Sequence, residues 1–140
     1  MAPRVIAVVD AGPLYAATDS SDQDHARCVA TLERTDLDLV IPALVIAEVT
    51  FIVGRRLGPD VEAEFLAALA GFDVEAPVAE DWPRIAELAA QYRDFPLGGT
   101  DASVVALAER LETDVLVTLD HRHFGAVRPR HCSAFRLLPE

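Results

Sequence analysis

Four acidic residues, separated by long stretches of chain, each lie where an ordered element is predicted to begin or end. Asp10 follows the apolar run 5–9, and Asp120 follows the apolar run 115–119. Asp101 opens a predicted helix, and Glu48 lies early in the helix that follows the second predicted strand. Because strand carboxyl ends and helix N-termini share one edge of a parallel sheet, we expect the four side chains to converge there.

Such a cluster of carboxylates predicts a divalent cation site. Two carboxylates about 4 Å apart repel each other by roughly 4 kcal/mol at an effective dielectric constant of 20. A cation removes that repulsion, and a set of oxygen ligands favours Mg²⁺ or Mn²⁺ over Zn²⁺. Ions of this kind lower the pKa of water and neutralise charge on a reacting phosphate, so the predicted chemistry is phosphoryl chemistry.

Each acid taken alone also has a simpler interpretation. Asp10 could begin a turn, and Asp101 could be a first-turn carboxylate that interacts with the helix dipole. Asp120 could cap the turn that leads into His121. Thr118 lies two residues before Asp120 and shares its face if the strand continues, where it could hold a water or a phosphate oxygen, or simply pack in the sheet. The joint pattern of acids favours the metal site.

Glu48 is the most informative of the four acids. Its helical neighbours at three and four positions are all apolar: Leu44, Val45, Phe51 and Ile52. A carboxylate on such a face is unfavourable unless something pairs with it. The partner is either a cation among the other acids or, in a purely structural role, Arg55 or Arg56.

Apolar runs alternate with helical periodicity along the chain. Strands are predicted over residues 5–9, 39–42, 72–75, 115–119 and 134–138. Helices are predicted over residues 25–34, 43–57, 61–70, 78–92 and 100–111. Segment 10–13 is predicted to end the first strand, Thr100 to cap the last helix, and Trp82 and Tyr92 to lie in the core. This alternation is typical of an α/β protein with a parallel sheet.

The composition excludes several classes of protein. The 140 residues include 51% hydrophobic residues, which excludes intrinsic disorder. The formal net charge is −11, and an acidic chain disfavours bulk electrostatic binding of nucleic acid, although metal-binding carboxylates count toward that charge. No apolar run reaches the ~18 residues of a membrane span, and two cysteines do not form a disulfide framework. We expect a cytoplasmic protein with no membrane partner.

Four short segments, in this order, resemble the motifs of PIN-domain ribonucleases. They are VVDAGPL at 8–14, IAEV at 46–49, GTDASVVALA at 99–108 and TLDHRHF at 118–124. The fourth segment has the form common among VapC-type toxins of bacterial toxin–antitoxin pairs. Each motif is short, but four in order within 140 residues make a specific resemblance that spans nearly the whole chain.

The resemblance implies one PIN-like domain over residues 1–140, with about five parallel strands flanked by helices. It implies Mg²⁺- or Mn²⁺-dependent endonucleolytic cleavage of RNA. Asp10, Glu48, Asp101 and Asp120 would be both the catalytic and the metal-binding acids. The implied mechanism is attack by water in line with the leaving 3′-oxygen, which leaves 5′-phosphate and 3′-hydroxyl ends.

The resemblance also implies partners. A cognate antitoxin would cover a groove and often insert an arginine among the acids, and the toxin would form a homodimer. The apolar helices 43–57 and 61–70 could supply that groove, or they could be ordinary core. Thr118, Arg122 and His123 are candidate contacts to an RNA phosphate, the last two otherwise lying in a solvated turn. Arg128 and Arg130 could guide RNA toward the acids.

Two other functions compete with the nuclease. A haloacid-dehalogenase-type phosphotransferase also places an aspartate after its first strand, but its chemistry needs a second aspartate two residues later, where this chain has Gly12. A catalytically silent PIN-fold binding module would keep the fold without the activity, and the intact set of acids argues against it.

Overall fold

Five short strands form a single parallel sheet in the order β3-β2-β1-β4-β5. The computed structural model describes residues 3–140. The strands are β1 (Val5–Val9), β2 (Leu37–Pro42), β3 (Asp73–Glu75), β4 (Val115–Val117) and β5 (Arg136–Leu138). Val9 pairs with Val117, so the carboxyl ends of β1 and β4 lie side by side. The predicted parallel α/β sheet is confirmed.

Seven α-helices flank the sheet within residues 3–140. They are α1 (Ala11–Thr18), α2 (His25–Leu32), α3 (Ala43–Leu57), α4 (Pro59–Ala68), α5 (Asp81–Gln91), α6 (Gly99–Arg110) and α7 (His121–Ala126), with a short 3₁₀ turn at Leu69–Gly71. Gly58 separates α3 from α4 with φ +92°, a conformation that favours glycine. Five of these helices, α2 to α6, match the predicted helices to within a few residues and occur in the predicted order along the chain.

The sequence pattern missed α1 and α7, and its cap for α6 was wrong. Gly12 and Pro13 looked like a stop, but proline is tolerated in a first helical turn, where its missing N–H has no helical partner. Helix α7 has only six residues, too few for a periodicity. Helix α6 begins at Gly99 rather than at Thr100, and its N-cap residue is Gly98.

The core lies on both faces of the central strands. Helix α3 places Val45, Val49 and Val53 against the sheet at a spacing of four residues, and none of them is exposed to solvent. Among residues 3–140, no helix combines the length and the apolar character that crossing a membrane requires.

Trp82 was predicted to lie in the core, and this prediction was wrong because half of its surface is exposed. Asp81 takes the inward position instead. It is buried and accepts hydrogen bonds from the Val78 backbone and from the Arg110 guanidinium, both at 3.0 Å. Tyr92, at the other end of the same stripe, is partly buried and packs against the core.

Candidate active site

The site lies where the strand order reverses, between β1 and β4, the position at which open α/β sheets bind ligands. The Asp10 backbone N–H donates to the Val117 carbonyl at 2.8 Å, which fixes the end of β1 beside the end of β4. The four predicted acids line one cleft of about 470 Å³ together with Ala11, Gly12 and Leu119. The predicted convergence of Asp10, Glu48, Asp101 and Asp120 is therefore present in the structure.

Asp10 is the most enclosed of the four acids. Only 7% of its surface is exposed, and its Oδ2 accepts a 2.8 Å hydrogen bond from the Thr118 hydroxyl. Burial raises the pKa of Asp10, and the charges of Glu48 and Asp120 raise it further. The Thr118 hydrogen bond opposes this rise by stabilising the carboxylate.

Thr118 connects the two acids that follow β1 and β4. Its hydroxyl donates to Asp10 and accepts from the Asp120 backbone N–H at 3.0 Å, and the residue has no exposed surface. Contact with an RNA phosphate, one role predicted for Thr118, does not fit a buried hydroxyl that already has two partners. Strand β4 ends at Val117, so the shared strand face predicted for Thr118 and Asp120 does not exist.

Asp120 is the N-cap residue of α7. Its Oδ1 accepts from the His123 backbone N–H at 3.0 Å, so the capping role considered from sequence is present. The His123 ring is at hydrogen-bond distance from the same carboxylate. His123 is therefore directed at Asp120, whereas Arg122 is exposed and its guanidinium lies 5.6 Å from the centre of the Phe95 ring.

Glu48 is exposed on α3, and the reasoning that placed it on an apolar face was wrong. The buried stripe of α3 passes through Val45 and Val49, while Phe51, three positions after Glu48, is 65% exposed. The structural alternative also fails, because Glu48 forms no ion pair with Arg55, Arg56 or any other cation within residues 3–140. Its carboxylate faces the cleft that holds the other acids.

Asp101 lies in the first turn of α6 and carries the clearest electrostatic signature of the site. Burial, followed by the charges of Asp10, Asp120 and Glu48, raises the pKa of Asp101 to about 6. His123 acts in the opposite direction. Four carboxylates thus share a cleft in which their mutual repulsion is incompletely compensated.

This charge pattern and donor set fit a hard divalent cation. The cleft offers oxygen donors from carboxylates, which Mg²⁺ and Mn²⁺ prefer, and a cation would remove the repulsion that raises the pKa of Asp101. In the part of the chain that the structure describes, no three His, Cys, Asp or Glu side chains form a closed metal cage. The acids line the cleft from several elements without enclosing one point.

The raised pKa of Asp101 predicts a pH-dependent stability of the metal-free protein. The proton binds more tightly to the folded state, so the contribution of Asp101 to stability is greatest below pH 4 and is lost as pH rises through about 6. A full shift of this size would correspond to about 3 kcal/mol, and solvent screening of a partly exposed group reduces it to about 1 kcal/mol.

We therefore expect Asp101→Asn to raise the free energy of unfolding in EDTA by about 1 kcal/mol at pH 7, and to have little effect near pH 4. Urea denaturation of both proteins at pH 4.5 and pH 7 measures this difference. If Asp101→Asn changes the free energy of unfolding equally at both pH values, the ionisation of Asp101 is not the cause of the change.

Sequence reasoning missed one part of the site. Phe95, in the loop between α5 and α6, packs edge-on against the His123 ring, with 4.7 Å between ring centroids. No motif pointed to it, because the contact joins segments 28 positions apart and depends on how the loop folds over α7. A local pattern in the sequence carries no signal for such a contact.

Comparison with known proteins agrees with this fold. The family model of the PIN domain matches residues 7–128. The chain belongs to the PIN-domain family.

Within that family, the similarity is to VapC ribonucleases. The chain is 33% identical to Ribonuclease VapC26 of Mycobacterium tuberculosis over 134 residues, which cover 94% of this chain and 99% of that protein.

Solved structures share the fold at lower identity. VapC20 of M. tuberculosis, described as a toxin that cleaves the sarcin-ricin loop, superposes with a TM-score of 0.73 at 17% identity, over 79% of this chain and 86% of that one. VapBC2 of Rickettsia felis, solved with a DNA fragment from its promoter, gives a TM-score of 0.70 at 15% identity, over 95% and 98% of the two chains.

Proposed function

We propose that this protein is a metal-dependent endoribonuclease, the toxin of a toxin–antitoxin pair, formed by one PIN-like domain over residues 1–140. The observation that carries the proposal is the convergence of Asp10, Glu48, Asp101 and Asp120 on one cleft at the reversal of strand order. The VapC26 similarity over nearly the whole of both chains supports the ribonuclease activity. We place the activity in the cytoplasm, where RNA is available.

In this proposal the four acids hold Mg²⁺ or Mn²⁺. When bound, such an ion lowers the pKa of water and neutralises charge on the scissile phosphate. The Thr118 hydroxyl donates to Asp10 and opposes the rise in its pKa that burial causes, and Asp120 is held at the N-terminus of α7 by His123. Water attacks in line with the leaving 3′-oxygen, which leaves 5′-phosphate and 3′-hydroxyl ends.

Arg122 is the candidate for contact with an RNA phosphate. It is exposed, it follows Asp120 by two positions, and its guanidinium lies over the Phe95 ring at the border of the site. A phosphate contact of this kind would position the backbone without reading the base sequence.

A cognate antitoxin is the second proposed partner. An apolar groove of about 280 Å³ lies between α1, α2 and α4, lined among others by Leu14, Leu32, Val61 and Phe65. Helix α4 contributes to this groove as the sequence suggested, whereas α3, the other helix considered, contributes none of the lining residues. The solved VapBC2 of R. felis supports a partner of this class.

A homodimer is the third proposed assembly. Helix α3 carries Phe51 with 65% of its surface exposed, two turns from the C-terminal end of the helix. Phe51 is the most exposed large apolar side chain among residues 3–140, and we propose that a second copy of the chain covers it.

Incubation of the purified protein with labelled RNA tests the proposed activity. We expect endonucleolytic cleavage with Mg²⁺ or Mn²⁺, no cleavage in EDTA, and recovery when the metal is returned. Mapping of the cleaved ends should find 5′-phosphates. Turnover of a small phosphate ester without RNA cleavage would favour a phosphotransferase, and no activity with any metal would favour a silent binding module.

A further inference from the structure

The His123 side chain lies between an acid of the cleft and an aromatic ring outside it. Its Nδ1 is 3.0 Å from Oδ1 of Asp120 and 2.8 Å from Oδ2. An ionised carboxylate only accepts hydrogen bonds, so the proton of this contact is carried by Nδ1. Asp120 thus receives two donors from His123, the backbone N–H and the ring.

The two donors have different uses. The backbone N–H of His123 already satisfies the capping role of Asp120 at the start of α7, since a helix cap needs one such bond. The ring contact therefore adds a second constraint on the orientation of the carboxylate. The capping of α7 does not require the ring contact, because the backbone hydrogen bond already supplies the cap.

The opposite side of the imidazole is held without a polar contact. The His123 Nε2 atom is buried and has no hydrogen-bond partner among residues 3–140. The Phe95 ring packs against the imidazole at 4.7 Å with an angle of 77° between the planes. A buried nitrogen without a partner is unfavourable, so the ring is kept in this position by its contacts with Asp120 and Phe95.

We propose that His123 is a positioning residue for the cation site, which orients the Asp120 carboxylate toward the cleft while Phe95 fixes the imidazole. The inference rests on the proposed metal-dependent function. Groups that hydrogen-bond a ligating carboxylate from outside the metal site commonly change metal affinity by 10–100-fold when they are replaced. His123 contacts Asp120 from outside the cleft and is not one of the residues that line it.

Two substitutions separate the donor from the ring. His123→Asn retains an N–H near the position of Nδ1 but lacks the ring that meets Phe95. His123→Phe retains a ring for that packing but has no donor for Asp120. His121→Asn is the matched control, because His121 is exposed and lies next to Asp120 in sequence.

The measurement is the affinity of the purified protein for Mn²⁺ alone, by titration calorimetry without RNA. Binding by Asp101→Asn gives the background from nonspecific ions on an acidic protein. We expect His123→Phe to weaken specific Mn²⁺ binding by about 10-fold or more, and His123→Asn by no more than about 3-fold. His121→Asn should bind as the parent does.

The outcomes are distinguishable. Equal affinity of His123→Phe and the parent overturns the inference alone, as does a His123→Asn variant as weak as His123→Phe. Absence of Asp101-dependent Mn²⁺ binding in the parent overturns the proposed function and the inference with it. If His123→Phe does not fold by circular dichroism, His123→Ala decides, because it also removes the ring donor to Asp120. Weakened Mn²⁺ binding by His123→Ala supports the inference, and unchanged binding overturns it.

Discussion

Replacement of Asp101 by asparagine is expected to slow RNA cleavage by on the order of 10³-fold. Asp101 lies in the cleft with three other carboxylates, and its pKa is raised by burial and then by their charges. Loss of one negative ligand weakens the hold on a divalent cation, and about 4 kcal/mol of transition-state stabilisation corresponds to this factor. Single-turnover cleavage of labelled RNA in Mg²⁺ measures the rate.

The matched control for this variant is Asp60→Asn. Asp60 also lies in the first turn of a helix, α4, but it does not line the cleft. We expect it to cleave RNA at the parental rate. In cells without a cognate antitoxin, the parent and Asp60→Asn should arrest growth and Asp101→Asn should not, and equal toxicity of Asp101→Asn would show that catalysis is not the cause.

Thr118→Val is expected to reduce cleavage by about 10- to 100-fold, although the residue has no exposed surface to meet RNA. Valine matches the shape of threonine but removes the hydroxyl that donates to Asp10 and accepts from Asp120. The buried Asp10 carboxylate then loses this donor and keeps the backbone hydrogen bond from Ala11, so its protonated form becomes more favourable. The measurement is the cleavage rate as a function of Mg²⁺ concentration, where we expect a higher concentration at half-maximal rate.

Thr118→Ser is the control for the shape and the hydroxyl. Serine retains the donor and loses only a methyl group, so we expect cleavage within about 3-fold of the parental rate. If Thr118→Val cleaves RNA as fast as Thr118→Ser, the Thr118 hydroxyl does not contribute to cleavage.

The sheet and its acids could be predicted because both follow from local patterns and a topological rule. The apolar runs 5–9 and 115–119 predicted buried strands, which the structure places at Val5–Val9 and Val115–Val117, and parallel strands bring their carboxyl ends to one edge. Asp10 and Asp120 are adjacent in space for that reason, although they lie 110 positions apart in the sequence.

Other features depend on contacts that no local pattern records. The Thr118 hydrogen bond to Asp10 and the packing of Phe95 on His123 both join distant segments. The exposure of Trp82 follows from Asp81, which turns inward to meet Arg110 on another helix. For Glu48, helical spacing located apolar neighbours but not which of them face the sheet, and Phe51 faces away from it.

The arginines that follow α7 bear on how RNA can be recognised. Arg130, expected from sequence to guide RNA, pairs with Glu87 at 3.0 Å, whereas Arg122 and Arg128 form no ion pair among residues 3–140. Salt-sensitive nucleic-acid binding arises when protein cations displace the counterions condensed on the phosphate backbone. Because Arg130 is already paired, it would release few counterions on binding, and the salt dependence of RNA affinity should arise mainly from Arg122 and Arg128.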